Sequence, residues 1–204
     1  DPQKIPATIT NRLMRFNLSK VPTNLIKTRL NQICESEQYT NYEEACDYIS
    51  KLSEGCVRQA IAYVEQCANF SNDLDINNVL ECLGNFSYDS FFDLTGALLN
   101  GDEATVLETV NKYYAAGNDL KLFIESYLDF ALDITKYSIF KIMDVVKIPV
   151  SLENRCQGFA SIPNITDWSN KLVEAILNIK NTIKYDVNAK TTIEAMMIKI
   201  CRGL

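Results

Sequence analysis

The sequence contains no histidine. That absence removes Ser-His-Asp and Cys-His catalysis together with the commonest metal ligand. None of the seven cysteines forms a C-x-x-C pair, so their spacing offers neither a zinc site nor a disulfide framework. They fall mostly on apolar helical faces, as small buried thiols in a reducing compartment do. Seven glycines and five prolines are few for 204 residues. They gather at apparent element ends, which gives an all-helical fold with short connections. A basic excess is also missing: 20 Lys and Arg against 26 Asp and Glu leave a net charge of −6. The chain as a whole is therefore not a basic nucleic-acid binder, and any DNA contact is local or belongs to a partner. With neither a signal peptide nor an uninterrupted apolar span in view, no membrane partner and a cytoplasmic location are expected.

A glycine loop that cradles phosphate is lacking as well. The closest string is Gly96-Ala97-Leu98-Leu99-Asn100-Gly101, and Asp102-Glu103 follow where Lys and Ser or Thr are needed. Two carboxylates there repel phosphate, so the string reads as a junction between helices. Carboxylate pairs such as Glu43-Glu44 and Asp102-Glu103 fall in first helical turns and satisfy the dipole. Lys4, Arg12 and Arg15 make a modest basic cluster of solvated character. Without a nucleophile, base or metal site, the chain alone is expected to catalyse nothing.

What is present is helical periodicity. The opening stretch suggests one helical turn from Thr8 to Arg12, then a short alternating strand from Leu13 to Leu18 that needs a sheet to pair with. Pro22 suits a first helical position, with Leu25, Ile26, Leu30, Ile33 and Cys34 as the buried stripe. A second helix starts at Asn41, with Glu44 completing a capping box, and buries Ala45, Ile49 and Leu52. A third carries Val57, Ala60, Ile61, Val64 and Ala68 on one face, and a fourth runs from Asp75 to Leu83 and stops at Gly84. Aromatic and aliphatic residues then thicken from Phe86 onward. Helices are expected from Asp102 to Gly117, over Leu120 to Lys147, and after a Pro149–Pro163 loop over 167–185 and 189–201. The organisation is a tail, a small four-helix domain and a larger, more hydrophobic helical domain.

One residue stands off this pattern. Ser53-Glu54-Gly55-Cys56 reads as a turn feeding the third helix, and Arg58 lies about 100° round that helix from Val57. A cation in a first helical turn meets the positive end of the dipole, a cost of about a few tenths of a kcal/mol. Stability gives no reason for it, whereas an anion held between Arg58 and the helix start does.

The stretch Glu54-Gly55-Cys56-Val57-Arg58-Gln59-Ala60 resembles the sensor 2 motif, Glu-Gly-Ser-hydrophobe-Arg-Asp-Ala, of the bacterial clamp-loader gamma/tau family of DNA polymerase III. Asp1-Pro2-Gln3-Lys4-Ile5-Pro6-Ala7-Thr8-Ile9, three residues before Arg12, is similar to the end of that family's ATPase core. The run Asp75 to Gly84 also fits, so the likeness covers residues 1–84; beyond that it rests on length and helical pattern. The resemblance implies an all-α chain: a core remnant at 1–19, an AAA+ lid bundle at 20–84 and a ring-forming collar at 85–204. It implies that Arg58 is the sensor 2 arginine on the ATP phosphates, and that Arg12 is an arginine finger acting on a neighbouring subunit's ATP. Asn11 and Leu13 replace the Ser and Cys around that finger, and Gln59 replaces the motif's Asp. ATP with Mg belongs to the intact subunit, and none is expected for this piece alone. Implied partners are other clamp-loader subunits through the collar, with the sliding clamp and primed DNA through the assembly. Two other readings stay open: a helical interaction module without a nucleotide role, and a lid fragment of another AAA+ ATPase.

Overall fold

A computed structural model describes residues 6, 9, 12–14, 16, 18–83, 86–186 and 188–203. Among them are ten α-helices and no strand. The first four are α1 Thr23–Ser36, α2 Tyr42–Leu52, α3 Val57–Phe70 and α4 Ile76–Cys82. They enclose a core built from Ile26, Leu30 and Cys34 of α1, Ala45 and Ile49 of α2, and Ala60, Val64 and Cys67 of α3. Each set repeats at three- or four-residue spacing, which is why each helix buries one face. Leu25, expected in the α1 stripe, is 57% exposed, because the buried row runs 26, 30, 34. Burial pushes the Cys67 thiol up to about 12, so it packs as an apolar side chain.

The start of α2 departs from the sequence reading. Asn41 adopts left-handed backbone (φ 54°) and gives no side-chain cap. Its side-chain amide donates instead to Asp73 at 2.9 Å. A bridge between Thr40 and Asp73 joins the α1–α2 turn to the α3–α4 turn. At α4 the reading holds: Asp75 is the N-cap and accepts from the Asn77 amide at 3.0 Å. Gly84, the expected stop, lies outside the described residues.

The remaining helices are α5 Tyr88–Asn100, α6 Glu103–Ala115, α7 Leu120–Phe140, α8 Glu153–Ala160, α9 Ile165–Ile183 and α10 Ala189–Gly203. α7 is central, and its most extensive partner is α9. Phe123, Tyr127 and Phe130 project from one side of α7 into Phe86, Phe91 and Phe92. Ring centroids lie 4.9 Å apart for Phe92–Phe130 and 5.4 Å for Phe91–Tyr127. The buried Tyr127 hydroxyl meets Thr95 Oγ1 at 2.9 Å, so the core leaves it satisfied.

Two expectations for this half are corrected. The apolar run to Lys147 is not one helix: Lys141 turns left-handed (φ 57°) and ends α7 at Phe140. The chain then doubles back, with Val146 and Ile148 buried in the core. The Pro149–Pro163 loop contains α8, which buries Cys156 and Phe159. Arg155 of α8 fixes it by reaching Asp89 and, at 2.6 Å, Asp93, one turn apart on α5. Its guanidinium also lies 4.7 Å over the Phe92 ring. Among the described residues no helix is long and apolar enough to cross a membrane.

Candidate functional site

The turn that leads to Arg58 is built from four residues, two of them with unusual backbone demands. Ser53 closes α2 and donates through its hydroxyl to Ser50 O at 2.9 Å. Glu54 (φ 48°) and Gly55 (φ 88°) then both turn left-handed. Gly55 is required there twice over: by its φ, and because a Cβ would stand 2.5 Å from Lys20 Cβ and 3.2 Å from Val21 O. That close approach is locked by Val21 N–H donating to Gly55 O at 3.1 Å. The segment leading into α1 is thereby tied to the threshold of α3.

Cys56 is the N-cap of α3 but offers no side-chain cap, and no acidic residue occupies the first turn. The first helical bond runs from Ala60 N to Cys56 O. The amides of Val57, Arg58 and Gln59 therefore have no acceptor among the described residues, as first-turn amides do without a cap. Arg58 is exposed, and its guanidinium has no hydrogen bond or ion pair with any other described residue. Three free N–H groups at the positive end of a helix, next to an unpaired guanidinium, form an arrangement suited to an oxyanion. Each charge-assisted hydrogen bond to such an anion contributes about 1.5–3 kcal/mol.

Arg12 follows a turn in which its amide donates to Ile9 O at 3.0 Å, and its side chain is likewise exposed and unpaired among the described residues. Lys4 and Arg15 lie outside the described residues, as do Arg12's neighbour Asn11 and parts of the expected helical turn and strand. The described residues of that stretch form no strand, and Leu13, Met14, Phe16 and Leu18 are 60–97% exposed. Among the described residues no acidic or thiol cluster could hold a metal ion.

A set of polar contacts joins the two helical halves, and helical periodicity gives no sign of it. Glu44, expected in a capping box, accepts from Ser151 N at 2.8 Å. Lys51 donates to Met143 O at 3.2 Å and pairs with Asp47 at 2.9 Å. Glu54 faces Lys147 at 3.4 Å, and Tyr48 meets Tyr88 edge to face at 6.2 Å. A cavity of about 60 Å³ lies between Tyr48, Tyr88, Phe130, Asp133 and Lys147. The sequence signal for this joint is slight: Lys121, Glu125, Asp129 and Asp133 fall four apart along an otherwise apolar helix, yet Asp133 is buried.

The all-helical arrangement, one unit opening α3 with an arginine unpaired among the described residues and the other built around a long apolar helix, is consistent with the helical lid and collar of an AAA+ clamp loader. Residues 74–201, well over half of the chain, match the family described as DNA polymerase III subunits gamma and tau, domain III, and the chain belongs to that family. It is 24% identical to DNA polymerase III subunit tau of Bacillus subtilis over 99% of this chain and 36% of that protein. It is 27% identical to DNA polymerase III subunit gamma/tau of Mycoplasma genitalium over 70% of this chain and 24% of that one. Replication factor C subunit 4 of Encephalitozoon cuniculi is 23% identical over 82% of this chain and 55% of its own length. The chain thus spans about a third or less of the two bacterial relatives.

Proposed function

We propose that this chain forms the lid and collar of a clamp-loader ATPase subunit of a DNA polymerase III holoenzyme. Beside an ATP-binding core, it couples ATP binding and hydrolysis to loading of a sliding clamp on primed DNA. The observation that carries this reading is Arg58: exposed, unpaired among the described residues, and placed where three first-turn amides also lack acceptors. On this reading the Arg58 guanidinium reaches the γ-phosphate of ATP held by its own subunit, and the tilt of α3 follows the nucleotide state. Mg arrives with the nucleotide and is held by the core. Arg12, exposed on the tail, acts on ATP bound next door.

The collar holds several subunits in a ring. Most aromatics between Phe86 and Lys147 are core, but Ile139, Phe140 and Ile142 at the end of α7 are 50–57% exposed and suit a subunit contact. Arg12→Ala in the full-length subunit tests the arrangement. ATP binding should persist while turnover in the assembled ring falls by up to about 10³–10⁵, as for a lost arginine finger. An equal loss in isolated subunits would contradict a finger that acts across an interface.

A further inference from the structure

Asp133 occupies a costly position. It is 3% exposed on α7, where an apolar side chain would avoid the desolvation of a carboxylate. Its two oxygens are both engaged: one accepts from Lys147 N at 2.7 Å, the other from Lys136 Nζ at 2.9 Å. The first of these bonds fixes the middle of the segment that doubles back after α7. That segment touches the lid on either side of the fixed point. Met143 O takes Lys51 Nζ of α2 at 3.2 Å, and Ser151 N donates to Glu44 of α2 at 2.8 Å. Lys147 Nζ itself lies 3.4 Å from Glu54, four residues before Arg58.

We propose that Asp133 is a positioning residue that holds residues 143–151 as a brace between collar and lid. Through the brace, the collar sets the orientation of α2 and of the turn from which α3 and Arg58 emerge. Two of the three contacts with the lid use backbone groups of the brace, so its shape matters more than its side chains. Shape is what the Asp133–Lys147 amide bond dictates. The consequence for turnover rests on the sensor reading of Arg58; the brace itself does not.

The test compares Asp133→Ala, Asp133→Asn and Lys51→Met in the full-length subunit. Hydrogen exchange should accelerate about 10- to 100-fold at the amides of Lys147 and Ser151 in Asp133→Ala, the range expected for one lost charge-assisted bond. α9 and α10 should keep their protection. Asp133→Asn retains an acceptor for the Lys147 amide and should stay within about threefold of the parent. Lys51→Met, which leaves Asp133 untouched, should speed exchange around Met143. In the assembled ring, Asp133→Ala should lower turnover severalfold, while ATP affinity of the isolated subunit changes less than about twofold. Unchanged exchange over 143–151 in both Asp133→Ala and Lys51→Met would overturn the brace, as would equal acceleration in α9 and α10. Faster exchange with undiminished turnover in the ring would overturn the coupling. If Arg58→Ala leaves nucleotide affinity unchanged, the sensor reading falls while the exchange result still decides the brace.

Discussion

Replacing Gly55 by alanine isolates the turn that presents α3. Two costs add. A left-handed backbone at φ 88° costs an alanine about 1–2 kcal/mol relative to glycine. The new Cβ would also stand 2.5 Å from Lys20 Cβ, an atom next to the backbone, so the segment at 20–21 must move. That movement breaks the Val21–Gly55 hydrogen bond, a further loss of about 0.5–1.5 kcal/mol. The sum is about 1.5–3.5 kcal/mol, taken from the first helical unit. Urea unfolding followed by circular dichroism, with amide exchange at Val21 as the local probe, measures it. Gly96→Ala is the control: Gly96 is inside α5 with nothing within 4 Å of a built Cβ, so alanine should stabilise by about 0.5–1 kcal/mol. A Gly55→Ala variant within about 0.5 kcal/mol of the parent and with Val21 still protected would refute the reasoning, since the summed cost exceeds that scatter.

Two further perturbations probe the two cores. Asp47 is pushed up by burial but held below the usual carboxylate range by Lys27 and Lys51, at 2.6 and 2.9 Å. Its folded-state pKa is thus depressed, and the stability it contributes is complete above about pH 4 and lost as pH falls through the folded value. Asp47→Asn should cost about 1–3 kcal/mol at neutral pH. The gap to the parent should close in acid, and a pH-independent gap in urea midpoints would contradict the ion pairs. Phe123→Ala removes a fully buried ring that meets Tyr113 at 4.7 Å and Phe86 at 5.4 Å. Calorimetry should show a loss of about 3–5 kcal/mol from the second helical unit, and a loss under about 1 kcal/mol would mean that the cluster is loosely packed.

Features set by local chemistry are legible in the order of residues alone. The off-stripe position of Arg58 follows from its spacing to Val57 and Ala60, and α9 and α10 fall close to their expected spans. Asp102 caps α6 through the Thr105 amide at 3.2 Å, as a carboxylate at a helix start should. What escaped depends on partners far along the chain. α8 has a weak apolar pattern and is fixed by Asp89 and Asp93, over sixty residues away. α7 ends at Phe140, where Lys141 turns left-handed, and Asp133 then captures an amide fourteen residues on. Glu44 matches a capping box in sequence, but the backbone amide of Ser151 claims its carboxylate. Periodicity reports which face is buried, not which distant donor a polar residue will serve.

The central claim is that Arg58 reads a terminal phosphate. Equilibrium binding of ATP and of ADP to the full-length subunit, with and without Arg58→Ala, tests it most directly. Loss of one guanidinium–phosphate contact should weaken ATP by about 10- to 100-fold, from the 1.5–3 kcal/mol of a charge-assisted bond, and leave ADP nearly unchanged. Equal affinities for ATP in parent and variant, or equal losses for both nucleotides, would contradict it.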